Sequence, residues 1–171
     1  MSVFKNIFSR YPAKYFLETG TCYGNSVQLA LESKAFEEIY SIELADTYYT
    51  QCQLRFNANP NVHLIHGDSS LILWDVIKEL NAPITFWLDA HYTGMGHFGD
   101  TAHGVTDFPL FNELAAIEKH PCKQHTLLID DLRCFDSQAI VRRVLELNPA
   151  YTITYEDGCV PNDILVARSL K

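Results

Sequence analysis

The chain has 171 residues, of which 47% are apolar and 20% charged, which is the composition of one ordinary globular domain spanning residues 1–171. Its formal net charge of −8 disfavours DNA or RNA as a partner, and no apolar run is long enough to span a membrane. The five cysteines include no C-x-x-C pair and residues 1–10 lack the apolar core of a signal peptide, so we expect reduced thiols and a cytoplasmic protein.

The first segment, residues 1–13, spaces four apolar side chains as one face of a short helix would: Phe4, Ile7, Phe8 and Tyr11. This pattern predicts an N-terminal amphipathic helix that docks on the domain and ends at Pro12. A lid over a ligand site and a contact in a homodimer are the alternative roles.

Residues 15–26 combine a short apolar run, a turn with two glycines and the start of an apolar-periodic segment. This order predicts a buried strand, a tight turn and a helix. Gly20 and Gly24 allow the positive φ and close approach that side chains forbid, and Asn25 and Ser26 are natural N-caps. We expect the turn to present backbone N–H groups to a small ligand.

The next predicted strand, residues 38–43, ends in Glu43. An acid at this place in an open α/β sheet can accept hydrogen bonds from both ribose hydroxyls of an adenosine. The alternative is that Glu43 only supplies negative charge near the N-terminus of the following helix.

A third strand is predicted at residues 62–66, followed by Asp68 and Ser69. The simplest role of either side chain is to cap the apolar-periodic helix that follows.

The fourth and fifth predicted strands both end in acids, Asp89 after the fourth and Asp130 with Asp131 after the fifth. Three carboxylates in one volume are unfavourable unless a cation, a proton or an arginine lies between them. Oxygen ligands suit Mg²⁺, Ca²⁺ or Mn²⁺, so the pattern predicts a metal site. The alternative is that one acid caps the next turn and the other pairs with Arg133.

Residues 91–108 are rich in glycine and too long for an ordinary connection, so we predict a functional loop or lid. His91 is a candidate general base or an extra metal ligand. His97 and His103 are candidates for substrate contact, or for holding Zn²⁺ or Fe²⁺ together with a carboxylate.

The remainder of the chain completes an alternating pattern. Two further helices are predicted around residues 110–117 and 140–145, and two closely spaced strands, residues 151–155 and 163–168, are expected to pair antiparallel. The fold class is therefore α/β, with five βα units and a terminal strand pair.

The stretch Glu18-x-Gly20-x-Cys22-x-Gly24 resembles the first motif of the class I S-adenosylmethionine (SAM)-dependent methyltransferases, E/D-x-G-x-G-x-G. Cys22 stands where that family usually has its middle glycine, and its Cβ is expected to crowd the backbone that packs against the cofactor. The resemblance extends from about Tyr15 to Arg168. It implies a Rossmann-like, three-layer α/β/α fold with a seven-stranded, mostly parallel sheet in the order 3-2-1-4-5-7-6.

The acids at strand ends four and five also resemble those of metal-dependent O-methyltransferases, and residues 87–94 with 128–133 resemble small bacterial methyltransferase-like domains. The resemblance implies a metal-assisted O-methyltransferase that acts on a small hydroxylated substrate. The net charge and the lack of a membrane-spanning run predict no nucleic acid or membrane partner. The resemblance also implies catalytic roles for Asp89, His91 and Asp130, and ligation of a divalent metal, Mg²⁺ first, by Asp89, Asp130 and Asp131. The implied SAM-binding residues are Glu18, Gly20, Thr21, Cys22, Gly24, Asn25, Ser26, Glu43, Asp68, Ser69 and Asp89.

Two other functions stay open on the sequence alone. One is a non-catalytic module of the same fold that binds SAM or another nucleotide, which the Cys22 departure favours. The other is a metal hydrolase that uses the loop histidines His91, His97 and His103.

Overall fold

The computed structural model describes residues 7–92, 95–96 and 99–169, with only the backbone described at 95–96 and 99–100. Within these ranges β-strands and α-helices alternate as the sequence pattern predicts. Numbering only the strands of the main sheet, the elements are β1 (Tyr15–Thr19), α1 (Asn25–Ser33), β2 (Glu38–Glu43), α2 (Asp46–Arg55), β3 (Val62–His66), α3 (Ser69–Ile77), β4 (Ile84–Leu88), α4 (Leu110–Glu118), β5 (Thr126–Ile129), α5 (Ser137–Leu147), β6 (Tyr151–Glu156) and β7 (Ile164–Ser169).

The described strands form one seven-stranded sheet in the order β3-β2-β1-β4-β5-β7-β6, which confirms the expected topology. Strands β1 to β5 pair in parallel, whereas β7 is antiparallel to both β5 and β6. A separate two-stranded hairpin, Met95–Gly96 with Gly99–Asp100, lies within the segment predicted to be a loop.

Two apolar cores cover the two faces of the sheet, and successive residues of the central strands alternate between them. In β1, Leu17 packs in the core shared with α3, α4 and α5, while Phe16 packs in the core shared with α1 and α2. Because both faces are covered, β1 and β4 are buried at every position, as parallel strands usually are. The result is the three-layer arrangement implied by the sequence.

The N-terminal segment docks on the domain, although the described part of it is shorter than a helix. It forms a single 3₁₀ turn, Phe8–Arg10, and the Phe8 ring packs edge-on against Phe16 at 4.9 Å and Trp87 at 5.3 Å between centroids. The predicted apolar residue Phe4 lies outside the described residues. No helix in the described ranges has the length and apolar character needed to cross a bilayer.

The connections at the carboxyl ends of β1 to β5 all open on the same edge of the sheet. Strands β2 and β3 are added on one side of β1, and β4 and the later strands on the other. The strand order therefore reverses between β1 and β4, which are neighbours in the sheet although they are not consecutive in sequence. Open α/β sheets bind ligands at such a switch point.

Candidate active site

A cavity of about 460 Å³ runs along the carboxyl ends of the parallel strands. Its walls include the turn after β1, the ends of β2 to β5 and residues from the 101–109 segment. The structure brings twelve of the residues predicted from sequence to this one cavity: Gly20, Thr21, Cys22, Asn25, Ser26, Glu43, Asp68, Ser69, Asp89, His91, Asp130 and Asp131. A volume of this size is typical of sites for small molecules and cofactors.

The turn after β1 needs glycine at two positions for steric reasons. Gly20 has φ +84°, and a Cβ on it would lie 3.0 Å from the backbone oxygen of Asp89 across the switch point. Gly24 has φ +73° and a Cβ there would lie 2.6 Å from the Phe56 ring. Gly24 is also the N-cap of α1, which corrects the assignment of Asn25 and Ser26 as caps, since both fall within the helix.

Cys22 adopts a left-handed backbone conformation, φ +48°, at the position where glycine was expected. This conformation costs roughly 1–2 kcal/mol for a residue with a Cβ. The Cys22 N–H donates to Glu43 Oε2 at 2.7 Å, and its carbonyl accepts from Cys52 Sγ at 3.2 Å. The turn is therefore held in shape by hydrogen bonds from two neighbouring elements.

Glu18 is fully buried, and neither it nor Gly24 is among the residues that line the cavity, unlike the other residues predicted to bind SAM. Its carboxylate accepts from Ser41 Oγ at 2.6 Å, and Ser41 Oγ also lies 2.6 Å from Thr21 Oγ1. Burial raises the pKa of Glu18 to about 8, and hydrogen bonds from Ser41 and Ser26 only partly oppose that rise. The acid thus braces the turn from behind.

Glu43 lies at the end of β2 with its side chain in the cavity wall. One carboxylate oxygen accepts from Cys22 N at 2.7 Å and the other from Ala45 N at 2.7 Å. A carboxylate has about four lone-pair sites, so each oxygen keeps capacity for a further donor. The bond to Ala45 N supports the role at the helix N-terminus, because Ala45 is the N-cap of α2, while ribose binding stays a prediction.

Asp68 is the N-cap of α3, which supports its predicted capping role. Its Oδ1 accepts from Ser70 N at 2.9 Å, while its Oδ2 accepts from Val105 N at 2.7 Å. Gly104 packs so close that a Cβ on it would lie 2.5 Å from Asp68 Oδ2. Asp68 therefore fastens the 101–109 segment over the cavity, a contact that the sequence did not indicate.

Ser69 makes its hydrogen bond to a buried residue, Glu113 of α4. Ser69 Oγ donates to Glu113 Oε1 at 2.6 Å. Burial raises the pKa of Glu113 to about 7. Sequence analysis missed Glu113. It occupies one position on the buried, otherwise apolar face of α4, and a single acid on such a face is the one feature of the sequence that could have revealed it.

The 101–109 segment contributes Thr101, Ala102, Gly104, Thr106, Asp107 and Pro109 to the cavity wall, as expected of a lid. Its His103 stacks on Tyr92 with 3.6 Å between ring centroids, and His103 Nδ1 lies 3.1 Å from Asp107 Oδ1. These contacts hold the segment together rather than direct His103 to a metal. His97 lies outside the described residues.

Carboxyl groups from β4 and β5 meet at the far end of the cavity. Burial, followed by the charges of Asp130 and Asp131, raises the pKa of Asp89 well above its usual range. Burial likewise raises the pKa of Asp130 to about 6. Asp130 Oδ1 accepts from Asp131 N at 2.8 Å. The convergence predicted from the strand ends is therefore present.

Asp131 is held between two side chains. Its Oδ1 lies 2.6 Å from Arg133 Nη1 and its Oδ2 lies 3.2 Å from His91 Nε2. Arg133 also bonds Asp163, a buried acid just before β7 that sequence analysis did not single out. The pairing with Arg133 that the sequence left open is thus observed.

Among the described residues, two groups of three side chains bring potential metal-binding atoms within 4.8 Å of one another. One is Asp130, Asp131 and Asp163, and the other is His91, Asp131 and Cys134. The predicted set pairs Asp130 and Asp131 with Asp89, and Asp89 is in neither group. The all-carboxylate group fits a Mg²⁺ ion poorly, because the Arg133 guanidinium already bonds both Asp131 and Asp163.

Solved structures with the same architecture cover nearly the whole chain. The O-methyltransferase TomG of Streptomyces achromogenes, in complex with SAM, superimposes with a TM-score of 0.66 at 16% identity over 98% of this chain and 79% of its own. A Podospora anserina methyltransferase bound to S-adenosylhomocysteine gives 0.65 at 16% identity over 93% and 73%. The N-methyltransferase NodS of Bradyrhizobium japonicum gives 0.60 at 12% identity over 99% and 93%.

No family model and no curated protein sequence matches the chain. At these identities the similarity establishes the fold, which is that of the class I SAM-dependent methyltransferases. The neighbours include both O- and N-methyltransferases, so the atom that accepts the methyl group does not follow from the fold.

Proposed function

We propose that this protein is a SAM-dependent methyltransferase that methylates a hydroxyl group of a small acceptor. The observation that carries the proposal is the continuity of the cavity. It joins the glycine turn and Glu43 at one end to His91, Asp130 and Asp131 at the other. A cofactor in the first part would therefore direct its reactive group towards the second.

In this proposal the turn from Gly20 to Cys22 holds the methionine end of SAM through its backbone. The Glu43 carboxylate accepts hydrogen bonds from the ribose hydroxyls with the lone pairs that do not already accept from Cys22 N and Ala45 N. Asp68 and Ser69 lie next to the adenine. The Asp68 carboxylate already accepts from the lid, so its contact with adenine would be shared with the Val105 N–H.

SAM supplies a methyl group on a positively charged sulfur. The task of the protein is to hold the acceptor oxygen in line with that methyl group and to take up the hydroxyl proton. Asp89, His91 and Asp130 are the groups placed to receive the proton at this end of the cavity. The 101–109 segment excludes water from the reacting groups by covering the cavity.

The size of the cavity and its cover favour a small acceptor. The cavity wall passes beneath residues 101–109, which Asp68 holds in place, and the chain carries a net charge of −8. A polyanion would meet both obstacles. We therefore place nucleic acids outside the proposed substrate class.

An alanine series separates the two parts of the cavity. Purified protein is incubated with SAM and a panel of small hydroxylated acceptors, and formation of S-adenosylhomocysteine is measured beside SAM affinity. We expect Glu43→Ala to lose SAM affinity, and Asp130→Ala to lose turnover while it still binds SAM. Glu38→Ala, at the other end of β2, is the matched control and should change neither.

Two outcomes would contradict the proposal. The reverse pattern in the two variants would overturn the assignment of the cavity. SAM binding by the wild-type protein without turnover on any acceptor of the panel would favour a binding module, the alternative that Cys22 suggested.

A further inference from the structure

Three side chains with three different donor elements meet beside the acceptor end of the cavity, whose wall includes His91 and Asp131. A ring nitrogen of His91, a carboxylate oxygen of Asp131 and the sulfur of Cys134 all lie within 4.8 Å of one another. His91 and Asp131 are largely shielded from solvent, whereas Cys134 is exposed. Such a set differs from the oxygen ligands that the sequence led us to expect.

Local backbone geometry places Asp131 and Cys134 on one side of the same turn. Asp131, with φ +53°, is the N-cap of the 3₁₀ turn Leu132–Cys134, and the Cys134 N–H donates to its carbonyl at 2.8 Å. A carboxylate oxygen of Asp131 and the Cys134 sulfur lie within 4.8 Å of each other across this turn. The spacing Asp131-x-x-Cys134 therefore brings a carboxylate and a thiol together.

His91 reaches the pair from the neighbouring strand and is backed by aromatic rings. It follows β4, which pairs with β5 directly before Asp131. The His91 ring lies parallel to Phe108 with 6.4 Å between centroids, and Phe108 contacts the edge of Phe135 at 5.5 Å. These contacts limit the positions that the imidazole can adopt.

The separation of His91 and Asp131 matches that of two ligands on one zinc ion. With Zn–N and Zn–O distances near 2.1 Å and a tetrahedral angle, the nitrogen and oxygen lie about 3.4 Å apart. The observed distance from His91 Nε2 to Asp131 Oδ2 is 3.2 Å. A metal between these two atoms leaves Asp131 Oδ1 to Arg133, which orients the carboxylate from outside.

The charge around the cluster also favours a cation. The carboxylates of Asp130, Asp131 and Asp163 are grouped here, and the guanidinium of Arg133 is the cation that bonds two of them. One guanidinium offsets one of three negative charges, so a divalent ion would offset much of the negative charge that remains.

We propose that His91, Asp131 and Cys134 form a three-ligand site for Zn²⁺, with its fourth position open to the cavity. Sulfur and nitrogen donors select Zn²⁺ over Mg²⁺, which prefers oxygen. Three protein ligands with one open position are typical of catalytic zinc. Binding converts the Cys134 thiol to a thiolate and releases its proton to solvent.

This inference rests on the proposed function for its substrate class. The open position would bind the acceptor hydroxyl oxygen, lower the pKa of that hydroxyl and hold it beside the methyl group. With His91 Nε2 on the metal, the hydroxyl proton would pass to Asp89 or Asp130. The acceptors implied are therefore small molecules whose reacting hydroxyl can ligate zinc.

Cobalt provides a spectroscopic test that does not depend on turnover. Metal-stripped protein is titrated with Co²⁺, and the near-ultraviolet absorption of a cobalt–thiolate bond is recorded for the wild type, Cys134→Ser and Cys159→Ser. Cys159 is the matched control because it is also an exposed cysteine and lies at the cavity, yet is in neither group of ligands. Zn²⁺ and Mg²⁺ are then added in turn as competitors.

We expect the thiolate band in the wild type and in Cys159→Ser, its loss in Cys134→Ser, and displacement of Co²⁺ by Zn²⁺ but not by Mg²⁺. Zn²⁺ affinity should fall at least about tenfold in Cys134→Ser. Absence of the band from the wild type, or its persistence in Cys134→Ser, would overturn the site.

SAM binding measured on the same samples keeps the two proposals apart. Binding of SAM without a cobalt–thiolate band would refute the zinc site and leave the proposed methyltransferase standing. A thiolate band dependent on Cys134 in a protein that does not bind SAM would do the opposite.

Discussion

The two ends of the cavity hold their acidic side chains in different ways. At the cofactor end, Glu18 is bonded by the Ser41 hydroxyl, and Glu43 by the backbone N–H groups of Cys22 and Ala45. At the acceptor end, Asp131 is paired with the cation of Arg133 and lies against His91. Neutral donors leave the charge of Glu43 available to a ligand, whereas Arg133 already offsets part of the charge at the second end.

The largest expected effect is the pH dependence of stability caused by Glu18, a buried acid whose hydrogen-bond donors are uncharged. Its pKa is raised by burial from 4.5 to about 8, so its stabilising contribution is fully present below pH 4.5 and is lost as pH rises through 8. Glu18→Gln removes this dependence. As pH rises from 4.5 to 8, the wild type should therefore lose on the order of 4 kcal/mol of unfolding free energy that the variant keeps.

Urea denaturation of both proteins at pH 5 and pH 8 measures this difference. If the two stability curves run parallel across that range, Glu18 is not buried in the way described. The description of how the cofactor end holds its acidic side chains would then be wrong.

The next effect tests the charge pairing at the acceptor end. Arg133→Met leaves Asp163, which is 2% exposed, without its guanidinium partner. We expect a loss of about 2 kcal/mol in stability, less than for a fully buried pair because Arg133 itself is partly exposed. Adding Asp163→Asn should recover much of that loss in a double-mutant cycle.

A surface arginine provides the control for that measurement. Arg143 pairs with Glu118 and Glu146 on exposed helix faces, so Arg143→Met should cost less than about 1 kcal/mol. Equal losses from Arg133→Met and Arg143→Met would show that the acceptor end is not organised by its internal cation.

The smallest effect concerns the cofactor turn. Cys22→Gly relieves the left-handed strain at φ +48° but adds chain entropy to the unfolded state, so we expect a net gain of about 0.5 kcal/mol. SAM affinity should stay level or rise up to a few-fold. Lys34→Gly, also left-handed at φ +54° but at the end of α1 and away from the cavity, should gain similar stability with no change in SAM affinity.

Thermal denaturation and SAM titration of both glycine variants decide whether Cys22 weakens the cofactor turn. A fall in SAM affinity confined to Cys22→Gly would mean that the cysteine side chain contributes to binding. The turn would then not act through its backbone alone.

The cofactor end could be predicted largely from sequence, because its determinants are local. A strand, two glycines and an acid at the end of the next strand specify the positions of Gly20 and Glu43 without knowledge of distant contacts. The alternation of elements predicted the α/β class, whereas the sheet order came from the resemblance to a known fold. The prediction of Asn25 or Ser26 as the N-cap of α1 was wrong. Gly24 takes that position through its left-handed backbone conformation and has no side chain that could signal a cap.

The acceptor end was predicted only in part, because its partners are distant in the sequence. Asp89, Asp130 and Asp131 were identified as strand-end acids, but Asp163, which is grouped with Asp130 and Asp131, precedes an antiparallel strand and comes 32 positions after Asp131. The bond from Asp68 to the 101–109 segment spans 37 positions. Contacts of this kind carry no local pattern, so the structure was needed to find them.

Calorimetric titration with SAM tests the central claim, which is that the cofactor end of the cavity binds SAM through Glu43. The account predicts micromolar binding by the wild type, about −8 kcal/mol, and binding roughly 10- to 100-fold weaker in Glu43→Gln, with Glu38→Gln unchanged. Absence of SAM binding in the wild type, or equal losses in both variants, would contradict it.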